Sequence, residues 1–166
     1  MPTFLITTVI AALALLSSCA RDTRWTILRP DYGAALAHQC SRSFPAGLSG
    51  SWTPKEGDVL QAEAAITGAI QSAFLRIPAR YRDAEPGEYN RQYTGFFKGA
   101  KRVLYVNGAR KASLDEIAKF EPSRANWRAV PAMACDGSTD YFGAVFDPES
   151  RAVTDFEFNG PHPPSE

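Results

Sequence analysis

The chain has 166 residues, with 18 basic side chains, 18 acidic side chains and three cysteines. That length bounds it to one domain of ordinary size, with enough buried surface to fold without a metal or cofactor. Its 45% hydrophobic and 22% charged content exclude a disordered chain, and its zero net charge excludes a uniformly basic nucleic-acid binder.

No charged side chain occurs from Met1 to Ser18, and Phe4 to Leu16 is apolar apart from Thr7 and Thr8. Such a run is too short for a permanent bilayer span and fits a signal-peptide core. It leads into Leu16-Ser17-Ser18-Cys19, which resembles the lipobox of bacterial lipoproteins: an aliphatic residue, two small residues and a cysteine. The resemblance implies cleavage before Cys19 and acylation of its thiol and of the new amino group. Small side chains at Ser17 and Ser18 let a peptidase grip the backbone, and the thiol is the nucleophile that takes the diacylglyceryl group. Several acyl chains hold a protein on a bilayer where a single chain does not. Residue 20 is Ala rather than the Asp that retains lipoproteins in the inner membrane, so the same resemblance implies the bacterial outer membrane and a domain facing the periplasm. The segment departs from secretory signals in having no Lys or Arg ahead of its apolar core. The competing reading is a buried apolar helix with an incidental cysteine.

With Cys19 acylated, Cys40 and Cys135 remain. A pair in an oxidising compartment reads as a disulfide, which for so long a loop stabilises the fold by about 4–5 kcal/mol in the chain-entropy model. Metal ligation is the alternative, but only His38 lies near Cys40 and there is no Cys-x-x-Cys. The expected organisation is a signal peptide over 1–18, a lipidated tether over 19–30, one domain over 31–160 and a proline-rich tail over 161–166.

Within the domain, Tyr32, Leu36 and Cys40 share a helical spacing and predict a short helix in Asp31–Cys40. Ser41–Ser51 is rich in Ser, Gly and Pro and reads as a loop. Thr53-Pro54-Lys55-Glu56 offers a cap, a proline at the first helical position and a capping-box Glu. Val59, Ala62, Ile66, Ala69, Ile70, Ala73, Phe74 and Ile77 follow at helical spacing, and Pro78 ends the run. Gly68 and the neighbouring alanines read as small packing residues. Ala79–Asn90 is charged and turn-rich.

Five strand-like runs come next. Arg91–Phe97 and Arg102–Asn107 flank a hairpin signal at Lys98-Gly99-Ala100-Lys101. Ser113-Leu114-Asp115-Glu116 has capping-box spacing for a short helix to Phe120, closed by Pro122. Trp127–Met133, Tyr141–Asp147 and Ala152–Phe158 read as the remaining strands, the last two joined by a turn with Pro148 at its second position. The last run alternates, with Thr154, Phe156 and Phe158 on one side and Val153, Asp155 and Glu157 on the other, as in a sheet with one wet face. The expected class is α+β: one long helix packed on a curved antiparallel sheet of about five strands, an order that cystatin-like folds share. Gln92-Tyr93-Thr94-Gly95-Phe96, Val103-Leu104-Tyr105-Val106-Asn107, Cys135-Asp136-Gly137 and Phe156-Glu157-Phe158-Asn159-Gly160 resemble segments of small exported proteobacterial proteins of unknown function. That resemblance carries no activity with it.

Chemistry-bearing motifs are sparse. There is no Gly-x-Ser-x-Gly, no His-Glu-x-x-His and no phosphate loop. His162 sits between prolines in the tail, and His38 reads as a surface or capping histidine before it reads as a general base. Asp136 and Asp140 bracket Gly, Ser and Thr, as in a plain turn; they lack the further carboxylates of a Ca²⁺ loop. No catalytic residue, cofactor or metal site is assigned. Charge is uneven: Arg76–Arg128 holds twelve basic against six acidic residues, and Ala129–Glu166 one against seven. Neighbouring strands can offset this in cross-strand pairs. The sharper alternative is a basic patch of Lys98, Lys101, Arg102, Arg110 and Lys111 suited to an anionic partner. Aromatics on both sheet faces would leave one of those faces as an exposed binding surface. The reading that results is a membrane-anchored envelope lipoprotein. Its domain is a non-enzymatic binding or inhibitor module for an unidentified envelope protein or glycan. A hydrolase using His38 and a purely structural lipoprotein are the alternatives, and no nucleic-acid partner is expected.

Overall fold

The chain is described by a computed structural model covering residues 23–37, 39–78 and 88–160. Two short strands, β1 (Trp25–Ile27) and β2 (Leu48–Trp52), with α1 (Tyr32–Ala37) between them, precede the long helix α2 (Glu56–Leu75). Then come β3 (Tyr89–Lys98), β4 (Lys101–Arg110), α3 (Lys111–Phe120), β5 (Tyr141–Asp147) and β6 (Ala152–Phe158). β3 to β6 form an antiparallel meander. β1 pairs with β3 in parallel at Arg91–Tyr93, and β2 pairs with it antiparallel at Gly95–Lys98. The two lie end to end along the same border of β3 and cover what would otherwise be a ten-residue open edge.

The class is α+β as expected, but the architecture differs in three respects. The sheet is mixed rather than antiparallel, and it is open, with six strands rather than five. β1 and β2 come from segments read as tether and loop; the pattern is weak because each is short and one-sided against β3. The one long helix of the expected class is accompanied by α1 and α3, which match the short helices read in Asp31–Cys40 and up to Phe120.

The third expected strand, Trp127–Met133, is a turn and irregular chain. Ala129 and Val130 donate their N–H groups to the Asn126 carbonyl, and Pro131 has no N–H to give a ladder. The long helix starts at Glu56, with Lys55 N–H donating to Asp58 Oδ2 at 2.8 Å, so the cap lies two residues beyond Thr53. The third helix starts at Lys111, which makes Ser113 an interior residue whose hydroxyl serves Asp140 instead of a cap. In β6 the alternation breaks at Asp155, a left-handed residue (φ +51°) between the Thr154 and Glu157 pairings. This bulge turns both Val153 and Phe156 toward the core that holds Phe158. The β3–β4 hairpin forms where the sequence places it. Gly99 takes φ +62° at the first central position of the two-residue turn, where a type II′ turn requires glycine.

Both faces of the central strands are buried. On one, Val59, Ala62, Ile66, Ile70, Ala73 and Phe74 of α2 pack on Tyr89, Tyr93, Leu104, Val106, Phe142, Ala144, Phe146 and Phe158. On the other, Leu28, Leu36, Phe96, Val103, Tyr105 and Val145 make a second cluster with Phe44 and Met133 at its margin, and Ala109, Leu114, Ala132 and Tyr141 make a third. The face opposite α2 is therefore closed by α1, α3 and the segments around Arg42 and Ala132. It is not the exposed aromatic surface that the strand composition offered.

Candidate functional site

The five cations singled out as a patch do not converge. β4 separates them: Lys98, Lys101 and Arg102 lie at the hairpin tip, while Arg110 and Lys111 lie at its other end, about 30 Å away at the usual rise per strand residue. Four of them meet carboxylates. Lys98 reaches Asp155 at 3.2 Å, Lys101 reaches Glu149 at 2.8 Å and Lys111 reaches Asp115 at 2.5 Å; Arg110 contacts both Glu88 at 3.2 Å and Asp140 at 3.3 Å. Arg102 lies over the Trp52 ring at 5.3 Å. Three of these pairs, on Asp155, Glu149 and Asp140, join the basic middle of the chain to its acidic end. Solvent screens the exposed pairs, so they add little to stability.

The sheet face opposite α2 holds a polar cluster that the sequence did not single out. Arg42, only 7% exposed, extends over β4 and β5. Its Nε donates to Tyr105 Oη at 3.1 Å, Nη1 to Asn159 Oδ1 at 2.5 Å and Nη2 to Asn107 Oδ1. All three acceptors are neutral, and among the described residues no carboxylate pairs with this guanidinium. Asn107 Nδ2 in turn donates to Gln92 Oε1 and to the Ala132 carbonyl, both at 2.8 Å. Gln92 receives the Ala132 N–H at 2.8 Å and gives its own amide to the carbonyls of Val130, at 2.7 Å, and of Trp127. Asn159 Nδ2 holds the Ala134 carbonyl at 2.8 Å. The carboxamides of Gln92, Asn107 and Asn159, with the Arg124 guanidinium on the Met133 carbonyl, therefore do for residues 127–134 what a neighbouring strand would have done. Their backbone groups are satisfied from below by side chains. Gly143 makes room for this cluster: a Cβ there would lie 2.5 Å from both Arg42 Nε and Tyr105 Oη.

The clamped segment ends at the disulfide. Cys40 and Cys135 are bonded, with Cα atoms 5.4 Å apart across a separation of 95 residues, as the cysteine count led one to expect. Both residues are exposed and border an open cleft of about 290 Å³ lined also by Gln39, Arg124, Met133 and Ala134. Asp136 and Ser138, just beyond, both adopt left-handed backbone, at φ +57° and +46°. Asp140 is taken up by Ser113 Oγ and Arg110, and among the described residues no three metal-ligating side chains come together. His38 and His162, like Cys19 and the lipobox, lie outside the described residues.

On the α2 side, Arg91 and Glu63 form a bidentate pair at 2.6 and 2.7 Å, and Tyr93 Oη donates to the same carboxylate. Burial, and then the Glu63 charge, push the Tyr93 phenol well above its ordinary value. Burial, and then Asp140, push Tyr141 up to about 12, and its hydroxyl has no hydrogen-bond partner among the described residues. Above about pH 10 an unfolded chain loses phenolic protons that the folded chain keeps. Stability is therefore fully present below that pH and falls as pH rises toward the folded values. Urea midpoints measured at about pH 8 and about pH 11 are expected to drop at the higher pH; equal midpoints would contradict the burial of these two phenols.

No family model, no curated protein and no solved structure matches this chain.

Proposed function

We propose that the chain is a lipid-anchored envelope lipoprotein, held to the outer membrane through acylated Cys19. Its domain, facing the periplasm, is a non-enzymatic binding or inhibitor module for an envelope protein or glycan. The observation that carries the reading is the run of uncharged residues leading into Leu16-Ser17-Ser18-Cys19. The Cys40–Cys135 bond supports it, because disulfides persist in oxidising compartments. Among the described residues no helix is long and apolar enough to cross a membrane. The order β2–α2–β3–β4–β5–β6 supports a cystatin-like arrangement within the larger mixed sheet, and the likeness to small exported proteobacterial proteins belongs to the same proposal. With both sheet faces covered, the binding residues of such a module lie on its turns and connecting segments, positioned by a rigid frame.

The test is metabolic labelling with a palmitate analogue in a bacterial host. The wild-type chain is expected to take up label and to fractionate with the outer membrane, and Cys19→Ser to do neither. An unlabelled wild-type protein that retains Met1 would overturn the anchor. Turnover of a substrate by the purified protein would overturn the non-enzymatic reading.

A further inference from the structure

The Cys40–Cys135 bond joins residues far apart in sequence, yet the fold does not depend on it to hold those residues together. Ser41 accepts the Asp136 N–H on Oγ at 2.6 Å, reaches the Ala134 carbonyl with the same hydroxyl at 3.3 Å, and receives the Gly160 N–H on its own carbonyl at 2.7 Å. Arg42, next in the chain, is bonded to Tyr105, Asn107 and Asn159. On the other side, residues 130–134 are held by Gln92, Asn107 and Asn159. None of these bonds has a cysteine sulfur as donor or acceptor. The sulfurs belong to none of the three apolar clusters, and both cysteines face the cleft that Arg124 borders. Exposed disulfides are the exchangeable ones, and buried ones are inert.

The two sulfurs are not equivalent. The Ser41 hydroxyl also lies 3.8 Å from Cys40 Sγ, within reach of a sulfur hydrogen bond. Its single proton is shared between that sulfur and the Ala134 carbonyl in the oxidised form. A thiolate is a far stronger acceptor than a disulfide sulfur, so on bond opening the proton commits to Cys40. Cys40 is thus the better leaving group and Cys135 the sulfur to be attacked.

We propose that Cys40–Cys135 is an exchangeable disulfide that opens and recloses within the folded domain, with an anionic thiol as its co-reactant. The incoming thiolate enters the cleft beside the Arg124 guanidinium, which also pairs with Glu121 at 3.3 Å and donates to the Met133 carbonyl, and attacks Cys135 Sγ. A new S–S bond forms to Cys135, the Cys40–Cys135 bond breaks, and its electron pair leaves on Cys40 as a thiolate that Ser41 Oγ–H stabilises. Attack of Cys40 on the mixed disulfide reverses the step. Attack of a second thiol on it completes a two-electron reduction, releasing the oxidised small-molecule disulfide and leaving two protein thiols.

The experiment treats the purified full chain with glutathione, an anionic thiol, and with β-mercaptoethanol, a neutral one, in native buffer. Mixed disulfides are mapped by mass spectrometry and the fold is followed by near-ultraviolet circular dichroism. Glutathione is expected on Cys135 and not on Cys40, with the dichroism spectrum retained. Ser41→Ala is expected to slow exchange with both thiols about fivefold, the worth of one hydrogen bond. Arg124→Gln is expected to slow glutathione more than β-mercaptoethanol, a difference that a merely structural role would not produce. A native disulfide that reacts only in denaturant overturns the proposal, and so does a spectrum lost in step with reduction. The double variant Cys40→Ser/Cys135→Ser gives an independent check: it is expected to fold, and its failure to fold overturns the proposal as well.

Discussion

Asn107→Ala is expected to cost about 3 kcal/mol of stability, the largest loss from any single polar truncation in the domain. Asn107 is completely buried, and its one carboxamide makes four bonds: it accepts from Arg42 and from Gln39 and donates to Gln92 and to the Ala132 carbonyl. That is the full capacity of the group. Truncation leaves a buried guanidinium short of one of its three acceptors and a buried carbonyl without a donor. The cost is therefore that of stranded partners, which exceeds the net worth of the bonds themselves. Thermal unfolding is expected to drop by roughly 6–12 °C for a chain of this length. Proteolysis is expected to find its first new cut in residues 127–134, whose backbone the cluster holds. A shift of under a degree would mean that water replaces the carboxamide and that the cluster is not a clamp.

Gly108→Ala is expected to cost about as much for the opposite reason, too much matter rather than too little. A Cβ on Gly108 would lie well inside contact distance of the Phe142 ring edge. That ring cannot step aside, since it is completely buried, stacked on Phe156 at 5.0 Å and edge-on to Tyr89 at 5.2 Å. The control is the same substitution at Gly68, on the exposed side of α2, where a Cβ meets nothing within 4 Å. There the methyl group removes backbone freedom from the unfolded chain and is expected to stabilise by about 0.5–1 kcal/mol. Chemical denaturation of the two variants side by side, with midpoints moving in opposite directions, checks the pair. Phe142→Leu placed on the Gly108→Ala background is expected to recover part of the loss.

The parts of the fold legible in the sequence are those written in periodicity and turn chemistry. The 3.6-residue pattern from Val59 to Phe74, the Gly99 turn, the last two strands and the even cysteine pair each carry a local signal with one physical meaning. Trp127–Met133 misled because apolar residues in a short run look alike whether they pair with a strand or lie over one. The deciding partners, Gln92 and Asn107, are 35 and 25 residues away from the groups they hold. The polar cluster is hidden in the sequence for a related reason. Gln92, Thr94 and Asn107 alternate with apolar neighbours just as residues on a wet face do, and alternation records polarity, not exposure. An additional hint was available in Arg42, a cation placed between the Cys40 disulfide position and Phe44 in a short loop. The basic patch does not form a cluster because the nine-residue separation of Lys101 and Arg110 spans the full length of β4.

The β1 strand has a mechanical consequence. Any load that reaches the domain through the residues before Thr23 arrives first at three residues lying parallel to β3. The flanking bonds, Arg91 N–H to the Arg24 carbonyl and Leu28 N–H to that of Tyr93, run crosswise to the strand. Arg128 adds two more, to the carbonyls of Thr23 and Trp25. A pull along the strand therefore strains these bonds together instead of parting them one by one, which is the stiff direction of a sheet. Should they yield, unravelling runs through α1 only as far as Cys40, where a covalent bond to Cys135 takes the tension. Residues 41–134, which hold α2, β3, β4 and α3, lie inside the covalent loop that the bond closes and are bypassed by that tension, so the outermost segment acts as a fuse for them.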